Sequence, residues 1–404
     1  MWQTLIRLSW LNLLRNRRRS AATASVAALG TAGMLLAGGF ALYTYESLAQ
    51  AAARSSGHLV VATAAQFEQE EEVPLQHGLE DWQALQARLM RDDAVRQVLP
   101  RIEFNGLVGN GDKSTVMMAV GIAPDAEFAV KGPFLQMHAG QVLTSASREQ
   151  VMLGEGLARS LKAAPGSPLT LLATTTEGAL NALDVTVAGI FSTGTPELDK
   201  RLLYTDLGTA QRLLATTRVS GLGVFLDRME ATGPARERLV PALPGLDTRT
   251  WRDLAAYYES VRGLYNRIFG SLGAVLALIV AFVVANAMAM AVIERTREVG
   301  TLRALGTSPE RVIAGFLLEG GMLGGIGALV GAALSTAVSV GLLVFPVEMP
   351  PPPGSTQGYL LQVTVDPWLT AGVIAAMLAV TAVATGLVAR KTVRRPIVDA
   401  LAHT

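Results

Sequence analysis

Four runs of this chain are long and apolar enough to cross a bilayer, for which about 20 residues suffice. They are residues 20–45, 268–293, 312–345 and 367–389, and Glu319 is the single charged side chain within them. The membrane therefore organises the chain before local propensity does, because backbone polar groups in hydrocarbon must be satisfied inside helices or closed barrels. Between the first two runs lies a segment of ordinary soluble composition, residues 46–267. It is long enough to bury one large core or two small ones. Over the whole chain only 17% of residues are charged, against roughly 25% in soluble domains. Cysteine is absent, which excludes disulfides, thiol chemistry and thiolate-ligated metals.

The first run can also be read as a signal peptide, with Arg17, Arg18 and Arg19 as its basic region and Ala49-Gln50-Ala51 as its cleavage site. It is about twice the length of an ordinary signal-peptide core, so an uncleaved span is expected. Basic residues set the orientation. Arg7, Arg15, Arg17, Arg18 and Arg19 precede the first span, and Arg295, Arg297, Arg303 and Arg311 separate the second from the third. Arg390, Lys391, Arg394 and Arg395 follow the fourth, whereas the loop 346–366 has Glu348 and Asp366 but no Lys or Arg. The positive-inside rule places segments 1–19, 294–311 and 390–404 in the cytoplasm, and 46–267 and 346–366 outside. The expected fold class is thus a mainly α membrane protein with four transmembrane helices and a mixed α/β extracytoplasmic domain.

In the outer segment, alternating or short apolar runs predict strands at 58–63, 115–122, 169–173, 184–191 and 222–226. Helical spacing appears at 79–91 and 207–214. The acidic run 66–72, ended by Pro74, reads as a solvated loop or an acidic docking surface. From Trp251 the helical pattern continues through the second span, with Thr250 as N-cap, so a helix about 60 Å long is expected, about twice the hydrocarbon thickness, its surplus forming a rigid stalk. A break at Gly263 or Gly270 is the alternative. The alanine-rich stretch 46–55 offers a partner stalk.

Residues 294–309 form a charge-dense island between the second and third spans. Val299, Leu302 and Leu305 recur at helical spacing, with Arg297 and Glu298 beside them and Arg303 on the other side. Gly306 is placed to end this helix in a left-handed conformation, and Ser308-Pro309 to start the next. Local physics allows an interfacial helix resting on lipid headgroups or a helix gripped by a partner protein.

At these residues the chain resembles a known family. Glu294-Arg295-Thr296-Arg297-Glu298-Val299-Gly300, Arg303-Ala304-Leu305-Gly306 and Phe316-Leu317-Leu318-Glu319 resemble the signature of FtsX/MacB-like ABC transporter permeases, the group that includes the lipoprotein-releasing Lol permeases. Asn12 to Arg19 is similar to the family's N-terminal amphipathic start. Gly189 to Gly194, Glu197-Leu198-Asp199 and Ala210 to Leu214 resemble its outer domain, and Arg395 to Leu401 its tail. The resemblance implies a multi-pass protein of the bacterial inner membrane with its large domain in the periplasm. It further implies a dimer of permeases, identical or paralogous, on a dimer of separate ATPases. The island (Arg297, Glu298, Val299, Leu302, Arg303, Leu305 and Gly306) would be the coupling helix held in an ATPase groove. No stretch matches the phosphate-cradling pattern G-x-x-x-x-G-K-[ST]. No cofactor is therefore expected on this chain, and ATP with its magnesium is expected on the partner. MacB itself carries a fused ATPase domain, from which this sequence departs.

The resemblance also implies mechanotransmission, in which the outer domain extracts or releases a lipoprotein or other lipid-anchored cargo. The alternatives are peptide or toxin efflux through a periplasmic adaptor and outer-membrane channel, and FtsX-like signalling to a cell-wall hydrolase. Cargo extraction predicts an apolar groove between two outer domains or between facing spans, whereas signalling predicts an exposed apolar docking patch. Nucleic acid is not an expected partner.

Glu319 is expected to make a structural polar contact with an N-terminal arginine or a backbone amide, a proton relay being the alternative. The pairs Gly320/Gly324, Gly321/Gly325 and Gly327/Gly331 line the third span. They predict close packing against the first span, itself marked by Gly30, Gly33 and Ala37. His58, His77, His138 and His403 are scattered, so neither a metal site nor a catalytic centre is expected.

Overall fold

The computed structural model describes residues 2–69, 71–131, 135–351, 356 and 358–393. The tail signature Arg395 to Leu401, Arg394 and His403 lie outside these residues. The chain divides into two compact units, Met1–Glu46 with Ser260–Glu348 and Leu360–Thr404, and Ser47–Glu259 with Met349–Tyr359. The loop expected at 346–366 thus contributes part of its length to the second unit.

Among the described residues four helices are long and apolar enough to cross a membrane. They run Arg17–Ser56, Ala256–Glu294, Pro309–Val344 and Pro367–Val393. Ala49-Gln50-Ala51 lies inside the first of them. The expected stalk breaks earlier than the glycines. Thr250 does cap a helix, through a reciprocal box with Asp253, but that helix is only Trp251–Leu254. Ala255 leaves helical geometry, and the next helix passes unbroken through Gly263 and Gly270, where an added Cβ would meet nothing within 4 Å. Glycine costs a helix only about 1 kcal/mol, which packing and the membrane's demand for backbone hydrogen bonds override.

The second unit is built on a ten-stranded mixed sheet. Its strands are β1 (Leu59–Thr63), β2 (Val95–Gly109), β3 (Ser114–Ile122), β4 (Gln136–Gly140), β5 (Gln150–Gly154), β6 (Pro168–Thr174), β7 (Leu180–Ser192), β8 (Leu202–Asp206), β9 (Gly221–Leu226) and β10 (Leu246–Thr250). They are ordered β10-β1-β9-β2-β3-β8-β5-β7-β4, with β6 pairing β2 and β7. Neighbours are antiparallel except β3 with β8 and β5 with β7. The five strands read from the sequence are β1, β3, β6, β7 and β9. The longest central strand, β2, is not visible there, because Pro100, Arg101, Glu103, Gly106 and Gly109 break its apolar pattern. It works by changing partners along its length: its first half pairs β9, its second half β3 and β6. Leu171, Leu203, Leu213 and Val224 are fully buried in the core, each burial contributing about 1.5–3 kcal/mol.

The charges in β2 have a use. Arg101 sends two nitrogens to Glu127, at 2.8 and 3.2 Å, and a third to the Ser55 carbonyl. Lys131 reaches the same carboxylate at 2.9 Å. Burial opposes the Glu127 charge, but Arg101 and Lys131 hold its carboxyl below the usual range. Asp199, in a stretch that resembles the family's outer domain, is likewise structural. It accepts from the Ser192 hydroxyl at 2.6 Å and from both N and Oγ1 of Thr193, clamping the turn after β7. Within the acidic run Glu71 accepts from the backbone N–H groups of Leu75 and His77, so it closes a turn.

His58 gives this unit a pH dependence. Its Nδ1 accepts the Leu226 N–H at 3.1 Å, and burial lowers its pKa from the ordinary value of 6.5. The unfolded chain therefore takes up the proton first as pH falls. The His58 contribution to stability is full above about pH 6.5 and is lost as pH drops toward the lowered folded value. Thermal melts of the purified protein between pH 8 and pH 5 should show a steeper loss for the parent than for His58→Gln. Parallel curves would show that His58 does not contribute.

Candidate functional site

The island and the helices around it form the candidate site, all within the first unit. The chain enters through a helix Trp2–Arg15 that turns at Asn16 into the first span. This entry helix buries Leu13 and Ser9 but exposes Ile6, Leu8, Trp10, Leu11 and Leu14. An apolar stripe facing outward beside Arg15, Arg17 and Arg18 suits a helix lying at the headgroup level. The Ser9 hydroxyl donates to the Gly315 carbonyl of the third span at 3.2 Å.

The island is helical over Thr296–Ala304, with Arg295 and Leu305 as its flanking residues. Its end is a Schellman motif. Gly306 has φ +91°, its N–H bonds the Arg303 carbonyl, and the Thr307 N–H bonds the Leu302 carbonyl. Ser308 adopts N-cap backbone geometry with Pro309 at the first helical position, but its hydroxyl makes no cap bond.

Val299, Leu302 and Leu305 do not share one environment. Val299 is buried, Leu302 is 47% exposed and Leu305 is 80% exposed. Steps of three residues rotate by 300°, so the three side chains spread over about 120° of arc; Val299 falls inward and Leu305 outward. Arg297 and Glu298 are exposed, and Arg15 lies 3.6 Å from Glu298. Arg303 donates to the Val393 carbonyl at the end of the fourth span, at 2.8 Å. The outer surface of the island is therefore Arg297, Glu298, Thr301, Leu302 and Leu305, an apolar tip ringed by charge.

Glu319 pairs with Arg295 at 3.0 Å, both side chains being more than nine-tenths buried. The ion-pair partner is thus the residue that opens the island, and the N-terminal segment contributes beside it through the Arg19 charge and the Asn12 side chain. Sequence reasoning used Arg295 for topology and missed this role, although a buried carboxylate in a span demands a cation nearby. A second pair, Arg19 with Glu294 at 2.9 Å, ties the starts of the first span and the island together. An apolar groove of about 330 Å³ lies between the entry helix, the island and the third span, lined by Leu5, Leu8, Val299, Leu302, Val312 and Phe316 among others.

The glycines of the third span serve two neighbours rather than one. Gly327 and Gly331 do approach the first span, at Ala24, Ala27, Ala28 and Thr31. Gly320 and Gly324 instead receive Thr385 and Thr381 of the fourth. Gly30 and Gly33 face Val280 and Leu276 of the second span, and Gly321 faces open space. Seven residues, from 320 to 327, drift about 20° from two full turns, and the two crossings lie at different heights. Phe40, Tyr45, Tyr265 and Phe269 stack between the first and second spans, with the Tyr45 hydroxyl 2.8 Å from Asn266 Oδ1.

The second unit carries an exposed apolar patch. Leu107 lies opposite Val116 on β3 and Leu172 on β6, and Met118 and Leu180 extend the same face. Of these, Leu107, Val116, Met118 and Leu180 are exposed, from 40% at Leu107 to 69% at Leu180, and Leu172 is half-buried.

Comparison with known proteins adds to this geometry. A family model for the MacB-like periplasmic core domain matches residues 20–242, and one for the FtsX-like permease C-terminal matches residues 270–397. The lipoprotein-releasing system transmembrane protein LolC of Xylella fastidiosa is 27% identical over 261 residues, which is 63% of each chain. The macrolide export ATP-binding/permease protein MacB of Azoarcus sp. is 30% identical over 145 residues, 35% of this chain and 22% of that protein. The match to LolC thus spans just under two thirds of that relative's length. The solved periplasmic region of MacB from Actinobacillus actinomycetemcomitans is 15% identical with a TM-score of 0.36, covering 51% of this chain and 95% of that one.

Proposed function

This chain belongs to the FtsX/MacB-like family of ABC transporter permeases, and we propose that it is the membrane subunit through which a separate ATPase drives movement of a periplasmic domain. The island helix is the coupling helix in this reading. The observation that carries it is Leu305, an 80% exposed leucine at the end of the island helix. An apolar side chain held out by a Schellman turn, on a helix that also exposes Arg297 and Glu298, has the composition of an interface anchor. Both termini and the island lie in the cytoplasm, in keeping with the arginines at 15–19 and 295–311. ATP and its magnesium are bound by the ATPase dimer, and a second permease, identical or paralogous, completes the complex.

The cargo in this proposal is a lipoprotein or other lipid-anchored molecule leaving the outer leaflet. The 27% identity to LolC over 261 residues supports it, as does the scarcity of polar residues in the spans, which leaves no lining for a polar conduit. A second reading, in which the outer domain docks a protein partner, is favoured by the apolar patch Leu107, Val116, Met118 and Leu180.

Because the chain has no cysteine, pairs introduced into the outer domain report its movement cleanly. Co-expressed with an ATPase encoded beside its gene, the chain should co-purify as an ATP-hydrolysing complex. ATP should then change cross-linking between the introduced pairs. A complex that hydrolyses ATP with no change on the periplasmic side, or a chain that never binds the ATPase, overturns the reading.

A further inference from the structure

We propose that Arg295 and Glu319 form a brace that makes the island helix and the first turns of the third span move as one body. They are positioning residues for transmission, not for ATPase binding. The inference rests on the coupling reading above.

The geometry is that of a closed triangle. Arg295 is the one non-helical residue between the second span, which ends at Glu294, and the island helix, which begins at Thr296. It is therefore an articulation. The second articulation is Gly306, with φ +91° and open space around it. Between them the island is nine residues long, about 13 Å at the helical rise. The third side is the third span from Pro309 to Glu319, about 15 Å by the same rise. Without a tie, a helix hinged at both ends would swing about Gly306 when pushed, and the push would be lost. The Arg295–Glu319 contact, 3.0 Å and buried on both sides, closes the triangle at its open corner. Charges so placed resist separation, since parting them leaves the buried Arg295 without its carboxylate in a low-dielectric setting.

Two further contacts agree with a braced body. Arg303 holds the Val393 carbonyl from the far end of the island, and Ser9 holds the Gly315 carbonyl one turn before Glu319. The groove beside the pair is also lined by Arg311 and by Glu298, which is exposed and 3.6 Å from Arg15, and Glu319 further meets the Asn12 side chain and the Arg19 charge. Arg295 sits at the hinge itself and pairs directly with the third span, whereas Arg19, whose charge also acts on Glu319, is tied to Glu294 at the end of the second span.

The test uses spin labels at Thr301→Cys on the island and Leu329→Cys on the lipid face of the third span, both exposed. In the full-length chain the distance distribution should be narrow. Glu319→Gln should broaden it, Arg295→Lys should broaden it less, and the exchange Arg295→Glu with Glu319→Arg should narrow it again. In the complex, Glu319→Gln should keep ATPase binding and hydrolysis but lose most of the ATP-driven movement of the outer domain. Narrow distributions in both single variants, or undiminished movement despite broadening, overturn the brace. If Glu319→Gln does not accumulate, Arg295→Lys alone decides by the same two readouts. The label distances need no ATPase, so failure of the parent to bind one would count against the coupling reading and leave the brace to be judged on the chain itself.

Discussion

Leu305→Asp should abolish association with the ATPase while leaving the chain inserted and folded. Leu305 is 80% exposed and lies outside the apolar groove, so its removal opens no cavity, and surface changes of this kind usually move stability by no more than about 0.5 kcal/mol. In an interface the same change acts twice. It removes a central apolar anchor, and it asks an unpaired carboxylate to be desolvated. Interface anchors of this class cost about 2 kcal/mol or more on truncation, and each 1.4 kcal/mol is tenfold in affinity. The complex should then fall apart on dilution in detergent. Leu302→Asp is a less clean probe, because Leu302 also lines the groove against the entry helix. Val299→Asp should fail differently, by unfolding the island and the helix ends around it, since Val299 is buried. Co-purification together with a thermal melt of each variant separates the two behaviours. A stable Leu305→Asp chain that still binds the ATPase at parental stoichiometry would show that the island tip is not the gripped surface.

How much of this was legible beforehand depends on whether a feature is local. The spans, the left-handed Gly306 and the Ser308-Pro309 start follow from runs and caps, which a sequence states outright. Helix 207–214 and the strands read at 115–122 and 222–226 were legible for the same reason, the structure adding one residue at the start of each strand. What was hidden is pairing. That Glu319 needs a cation follows from the cost of a charge in a span, but which arginine of the segments 1–19, 294–311 and 390–404 supplies it depends on how helices cross. β2 was hidden because its charges look like loop residues until Arg101 is seen to meet Glu127. The stretches Gly189 to Gly194 and Glu197 to Asp199 resembled the family's outer domain, and the chemistry of Ser192, Thr193 and Asp199 proved to be a turn clamp. A sequence shows that Asp199 is set apart; only the hydrogen bonds show that it works on its own backbone.

The glycines give the second large effect and carry their own control. Gly331→Leu should destabilise the membrane unit strongly, whereas Gly321→Leu, ten residues earlier on the same helix, should be close to neutral. A Cβ at Gly331 would collide with the Ala28 carbonyl and lie 2.7 Å from Thr31 Cβ, so the obstacle includes backbone that cannot rotate away. Such overpacking costs about 1–3 kcal/mol even in adaptable cores, and here relief requires parting the first and third spans. Once parted, they lose the close approach that small residues permit and that helix association in lipid depends on. Gly321 has nothing within 4 Å of an added Cβ, and leucine is among the better residues for a lipid-facing site. Gly324→Leu should fall between them, because it meets the Thr381 side chain rather than backbone. Thermal aggregation of the detergent-purified variants ranks the three directly. Equal losses at 321 and 331, or a greater loss at 321, would mean that the third span does not pack on the first through Gly331.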